Sequence, residues 1–344
     1  MTAAPAPICD RGLSVVVPVF NEEDGLDELM RRVEAACSER FPNDYEVLLV
    51  NDGSTDGSWA AICRHADAKP HVVGINLSRN HGHQLALAAG LEHVRGALVF
   101  VLDADLQDPP ELLGTMADRI AEGADVVYGQ RTARAGETAF KRGTASLFYR
   151  FLSSMVDVAI PRDTGDFRLM TRRVTEQLKA MPERYRFVRG MVSWIGFTQV
   201  AVPYERDARF AGQTNYPLRK MIALAIDAVT SFSTVPLRFA SHLGMIFGVV
   251  GLLALGWVAA GWLSGEAVRG WTSLAALILV IGSVQLLVLG VFGEYLGRMY
   301  MEAKNRPLFI VDEIRTKAEV ADAANPVHVL EGSISETFRK AAGE

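Results

Sequence analysis

The chain has 344 residues, a formal net charge of −5 and three cysteines. That length supports two domains at most, and the acidic balance gives no reason to expect a general nucleic-acid binder, so no nucleic-acid partner is expected. Cys9, Cys37 and Cys63 lack metal-ligand spacing and fit a reducing cytosolic compartment better than a disulfide framework.

Residues 1–12, with Pro5, Pro7 and Asp10, read as a flexible start without an apolar signal run. Short β-branched runs then alternate with helical patterns. Leu13–Val19, Tyr45–Asn51, His71–Leu77, Ala97–Leu102 and Ala124–Gly129 predict strands. Between them, Glu23–Ser38, Ser58–Ala68, His83–Val94 and Pro110–Glu122 predict helices. Such alternation implies right-handed crossovers and a mostly parallel, Rossmann-like α/β sheet covered on both faces. The pattern alone names no reaction.

The strand ends are more specific. The first is followed by Pro18-Val-Phe-Asn21-Glu22, the second by Asp52-Gly53-Ser54-Thr-Asp56-Gly57. The third leads into Arg79-Asn80-His81-Gly82, the fourth into Asp103-Ala-Asp105-Leu-Gln107-Asp108-Pro-Pro-Glu111. Polar groups leaving one edge of four successive strands can converge on a single ligand. Asp52 can accept hydrogen bonds from a base or ribose, while Gly53 and Gly57 allow close backbone approach. Asp103 and Asp105, with Gln107 nearby, form an all-oxygen set suited to Mg²⁺ or Mn²⁺ on nucleotide phosphates. Taken singly, each motif also reads as an ordinary turn or helix cap.

Together these motifs resemble the inverting family 2 glycosyltransferases of the GT-A fold. Within them the chain is most similar to the polyisoprenyl-phosphate glycosyltransferases: dolichyl-phosphate mannose synthases, bactoprenol glucosyltransferases and the aminoarabinose transferases of lipid A modification. The resemblance runs from about Leu13 to Val311 and implies a GT-A catalytic domain over residues 13–218. It implies a nucleotide-sugar donor bound by Pro18, Asn21, Glu22, Asp52, Ser54 and Arg79. Asp103, Asp105 and Gln107 match the metal and diphosphate site, with Mg²⁺ or Mn²⁺ as cofactor. Arg131, followed by Lys141, Arg142 and Ser146, resembles the acceptor-phosphate site. Asp166, in Asp163-Thr-Gly-Asp166-Phe-Arg168-Leu, matches the acidic motif near the reacting centre. Arg209 and the Gly212–Tyr216 loop resemble a segment that closes over the diphosphate. Thr214 and Asn215 stand where the commoner form has Ser and Lys, so Asn215 removes a positive charge there.

The chemistry accounts for this inventory independently. Expelling a nucleoside diphosphate from a sugar carbon requires charge neutralisation, which a divalent cation supplies. A lipid phosphate is already anionic, so it needs positioning against repulsion more than deprotonation, and Arg forks such as Arg131 and Arg142 suit that task. Asp166 could serve as base on a monoprotonated phosphate or could orient the sugar. The competing account is structural: a solvated charged face for the arginines, a salt bridge to Arg168 or Arg162 for Asp166.

The last third changes character. Residues 219–238 read as a juxtamembrane amphipathic segment, with Arg219, Lys220 and Arg238 near anionic headgroups. Within 239–297, Leu243–Leu263 and Leu274–Phe292 are apolar and long enough to span a bilayer as a two-helix hairpin. A buried hairpin of a soluble protein is the alternative. Basic flanks place both chain ends and the catalytic domain in the cytoplasm, the intended membrane being the bacterial inner membrane. In the cytoplasmic stretch 298–344, Arg306–Val311 is expected to add a strand to a neighbouring subunit, in a homo-oligomer for which a tetramer is one option.

The expected partners are the nucleotide sugar, a polyisoprenyl phosphate such as undecaprenyl phosphate, and the membrane. A UDP-sugar is favoured, glucose first, with modified arabinose, galactosamine and mannose open. Two rival functions are weaker. A processive polysaccharide synthase needs a Gln-x-x-Arg-Trp motif that Arg189–Trp194 does not supply, and two spans form no pore. A non-catalytic scaffold predicts lost carboxylates, yet Asp103, Asp105 and Asp166 are present.

Overall fold

The computed structural model describes residues 11–132, 161, 164–205, 235–263 and 271–317. Eight strands form one sheet: β1 (Arg11–Val19), β2 (Tyr45–Asn51), β3 (Val72–Leu77), β4 (Gly96–Val101), β5 (Val126–Arg131), β6 (Thr164–Thr171), β7 (Gln199–Tyr204) and β8 (Val311–Arg315). Their spatial order is β7-β5-β6-β4-β1-β2-β3-β8. β1 is parallel to β2 and β4, and β2 to β3. β6 runs antiparallel to both β4 and β5, and β8 runs antiparallel to β3. The expected mostly parallel α/β sheet of the GT-A type is therefore present.

Alternation across the pleat builds two cores. Val15, Val17, Phe100 and Phe167 face one, with α1 (Leu26–Arg40), α2 (Ser58–Ala68) and α4 (Leu113–Ala121). Val16, Leu48, Val99, Val101 and Met170 face the other, with α3 (His83–His93), α5 (Arg172–Ala180) and α6 (Val188–Ile195). Burial on both faces is why the parallel strands read as continuous apolar runs. Helix α3 comes closest to the sheet: a Cβ at Gly90 would collide with Val16.

Two long helices follow, α7 (Val235–Leu263) and α8 (Trp271–Ala303), packed against each other. Each carries a stretch long and apolar enough to cross a membrane, Val235–Leu253 and Val280–Ala303. Leu253 and Trp257 are 70% and 72% exposed, so the helix pair is not buried in the core of this chain. At 33 residues, α8 is about 50 Å long, well beyond a bilayer core of roughly 30 Å. Its last turns carry Glu294, Arg298 and Glu302, and they meet the chain that leads into α6. Arg298 lies over the Tyr185 ring at 4.5 Å, and Glu302 accepts from the Arg184 backbone N–H at 2.8 Å.

One expectation is corrected here. Residues 306–310, expected to form a strand reaching a neighbouring subunit, are not strand; the strand after α8 spans Val311–Arg315 and pairs with β3 of this chain. The reason is local. β3 would otherwise end the sheet with a bare edge, and Asn76 and Asp67 hold the new strand through Asp312 (3.1 Å) and Arg315 (2.7 Å). The juxtamembrane segment 219–234, the connection between the long helices and the chain beyond 317 lie outside the described residues.

Candidate active site

The carboxyl ends of β1–β4 meet as the sequence expects, and they are laced together by backbone–side-chain bonds. Asn21, at φ 55°, accepts from the Thr55 N–H (2.8 Å) and gives its own N–H to Ser54 Oγ (3.0 Å). The Glu22 N–H donates to Ser58 Oγ at 3.0 Å. Pro18 is buried in β1 opposite Val50. Arg79 is exposed at the rim, with a 3.4 Å contact to the Asn80 carbonyl. Gly53 is required twice over. Its φ is +65°, and a Cβ there would lie 2.5 Å from the Asn80 nitrogen.

Asp52 is buried, and its two oxygens accept from the His81 N–H (2.7 Å) and the Gly82 N–H (2.9 Å). Burial outweighs these bonds and raises its carboxyl above the ordinary range. It therefore fixes the β3–α3 loop, while each oxygen keeps a further lone pair for a ligand.

After β4 the chain alternates. Asp103, Asp105 and Gln107 stay partly exposed, while Ala104, Leu106 and Asp108 are buried. Asp105 Oδ1 accepts from the Gln107 N–H at 3.2 Å, across Leu106 at φ 59°. Asp103 Oδ1 is buried without a hydrogen bond, 3.4 Å from His83 Nε2, and burial pushes the carboxyl up to about 6. Among the described residues no group of three or more His, Cys, Asp or Glu side chains forms a preassembled metal cage. A divalent cation that takes most of its ligands from phosphates and water needs only one or two carboxylates. The pair present fits that demand.

β6 brings Asp166 to the same corner. Its Oδ2 lies 3.3 Å from His83 Nε2 and accepts from Gln84 Nε2 at 2.8 Å, and its Oδ1 is 3.4 Å from an Arg168 nitrogen. Burial opposes the charged form, but His83, Arg168 and Arg189 outweigh it and hold the carboxyl well below the usual range. His83 responds in kind. Burial would lower it, yet the Asp166 bond and the charges of Asp103, Asp166 and Asp52 carry it up to about 9.

Arg131, at the end of β5, is already engaged. Its Nε donates to the Tyr204 hydroxyl at 3.1 Å, a second nitrogen lies 3.5 Å from Asp108, and Tyr204 donates to Asp108. Gly129 makes room for this by leaving the space that Phe167 and Tyr204 fill; a Cβ there would sit 2.8 Å from the Tyr204 ring. A Cβ at Gly165 would lie 2.6 Å from an Arg131 nitrogen, so the guanidinium rests against the peptide next to Asp166. Arg142, Ser146 and Arg209 lie outside the described residues.

The structure thus gathers Asp103, Asp166 and Arg131 in one corner with four residues to which the sequence assigned no site role: His83, Gln84, Asp108 and Tyr204. Asp108 sits inside the Asp-rich motif and was the nearest to legible. Gln84 and Tyr204 carry no local signal at all.

The family model "Glycosyl transferase family 2" matches residues 14–179. The chain is 48% identical over 301 residues to the uncharacterized glycosyltransferase YkcC of Bacillus subtilis, covering 87% of this chain and 93% of that one. It is 40% identical over 300 residues to the bactoprenol glucosyl transferase of Shigella phage SfII, covering 87% and 97%. Among solved structures it is similar to the mannosyltransferase PcManGT of Pyrobaculum calidifontis in complex with GDP-Man and Mn²⁺, at 16% identity, TM-score 0.41, and coverage of 85% and 89%. With relatives of this identity matched along nearly their whole length, the chain belongs to glycosyltransferase family 2, alongside the bactoprenol glucosyl transferases.

Proposed function

We propose that this glycosyltransferase moves a sugar from a nucleotide donor to the phosphate of a polyisoprenyl lipid. One observation carries the reading: the apolar helix pair rejoins the sheet at the edge where the site lies. The Ile310 carbonyl accepts from the Ser78 N–H at 3.0 Å, just past β3 and beside Arg79. On the other side, Arg184 and Tyr185, four and three residues ahead of α6, grip the end of α8. A lipid phosphate held in a membrane crossed by α7 and α8 would approach that same edge. The bactoprenol glucosyl transferases among the relatives support a lipid of this class and glucose as first choice, and a UDP-sugar is the donor favoured with it.

The donor base and ribose belong to the pocket of Pro18, Asn21, Glu22, Asp52, Ser54 and Arg79, with Arg209 closing on the diphosphate. Asp103 and Asp105, assisted by Gln107, would hold Mg²⁺ or Mn²⁺, which when bound neutralises charge on the departing diphosphate. Arg131, aimed by Tyr204 and Asp108 and joined by Arg142 and Ser146, holds the acceptor phosphate. Asp166, its oxygens already met by Gln84, His83 and Arg168, orients substrate. β8 pairs with β3 of the same chain, so the helices cross the bilayer twice or not at all. Their exposed apolar surface favours twice, and the basic flanks at Arg238, Arg298, Lys304 and Arg306 favour a cytoplasmic side for the sheet.

The test incubates the purified full chain with a panel of UDP- and GDP-sugars, Mg²⁺ or Mn²⁺, and undecaprenyl phosphate. Nucleoside diphosphate release should depend on the lipid and fall more than a hundredfold, roughly, in Asp105→Ala with the fold retained. Release that ignores the lipid overturns the acceptor. Full activity in Asp105→Ala or in excess chelator overturns the metal assignment.

A further inference from the structure

Gln84 has a place in the corner but no role in the donor or acceptor sites. It is the second residue of α3, partly buried, and both ends of its amide are used. Nε2 donates to Asp166 Oδ2 at 2.8 Å, and Oε1 accepts from the Val188 N–H at 2.8 Å. That N–H opens α6, where no intrahelical acceptor is available. The two bonds fix each other, because turning the amide over would set oxygen against carboxylate and N–H against N–H.

The Gln84 contact is shorter than those from His83 (3.3 Å) and Arg168 (3.4 Å). It is also the neutral one of the three. Cations near a carboxylate stabilise its charge from a range of directions, whereas a short amide bond dictates where the lone pairs point without cancelling charge. The mount for this amide is itself held. The segment leading into Val188 carries Arg184, whose backbone donates to Glu302 and whose side chain donates to the Arg306 carbonyl, and Tyr185, under Arg298.

We propose that Gln84 is a positioning residue for sugar transfer: it aims the Asp166 carboxylate at the reacting centre from a mount on the first peptide of α6. The inference rests on the reading of Asp166 as a group that meets substrate. Because α8 grips the chain just ahead of that mount, the aim is referred to the end of the membrane helix, the side from which the acceptor comes.

The test measures lipid-dependent transfer for Gln84→Met, Gln84→Glu, Asp166→Asn and the double variant Gln84→Met/Asp166→Asn. Gln84→Met keeps the volume and loses both bonds, while Gln84→Glu keeps the acceptor for Val188 and loses the donor to Asp166. Both should lower kcat roughly ten- to a hundredfold and leave the donor KM within about twofold. In the Asp166→Asn background, Gln84→Met should cost almost nothing further, since the residue acts through Asp166. A merely structural role would instead multiply with Asp166→Asn and follow the melting temperature. Losses that multiply, a change confined to donor KM, or wild-type kcat in both single variants overturn the inference. Wild-type turnover in Asp166→Asn, or no lipid-dependent transfer by the wild-type chain, overturns the underlying reading instead, and Gln84 with it.

Discussion

Arg131 reaches its corner with two of its contacts made, to Tyr204 and to Asp108. A guanidinium has five N–H donors, so these contacts aim the fork and leave donors for a phosphate. Tyr204→Phe should therefore leave the charge in place and raise the acceptor KM about five- to tenfold, with donor KM steady; a shift in donor KM alone would move Arg131 to the diphosphate site. Gly165→Ala tests the same corner differently. The atom its Cβ would displace is the far end of a flexible side chain, so the melting temperature should hardly move while turnover collapses. Equal losses in both would make Gly165 a packing residue. The contrast with Asn21, Asp52 and Asp103 shows what a sequence displays at this scale. Those residues sit at strand ends, where chain order alone predicts convergence. Tyr204 and Gln84 meet their carboxylates across 96 and 82 residues of chain, and only the sheet order brings them there.

Among the elements, the first four strand–helix units match their apolar periods almost residue for residue, β2 and α2 without any shift. β6 hides its period. Phe167 and Leu169 face one core, but the opposite face carries Asp166 and Arg168 as well as Met170, so a buried ion pair interrupts the apolar run. β8 is hidden for another reason: Val311–Arg315 is an ordinary charged edge strand whose partner lies more than 200 residues earlier. That strand also reaches the donor side of the site. Asp312 accepts from Asn76, whose Oδ1 accepts from Asn51, and Asn51 in turn accepts from the Ser54 N–H. A chain ended after Lys304 should melt at lower temperature and bind nucleoside diphosphate more weakly than one ended after Lys317. Equal donor affinity in the two would show that β8 only covers an edge.

For the whole molecule, the pairing of β8 with β3 constrains topology more firmly than counting basic residues does. Both flanks of the helix pair must share one side of any membrane they cross. Cysteines placed between Gly265 and Gly270 should react with an impermeant thiol reagent from outside the cell, while one placed at Gln130 or Asn305 should react only after the membrane is opened. External labelling at Gln130 or Asn305 would take the site away from cytosolic nucleotide sugars. The order of synthesis adds a consequence. The ribosome delivers β1 to β7 first, then both long helices, and only then the strand that closes the sheet beside β3. Until that strand arrives, β3 waits with an unpaired edge and the loop behind it lacks its brace. A chain threaded once would strand β8 on the far side of the bilayer. If α7 and α8 cross the bilayer, threading both of them precedes closure of the sheet edge, and a misthreaded copy should share the weakened donor binding expected of the chain ended after Lys304.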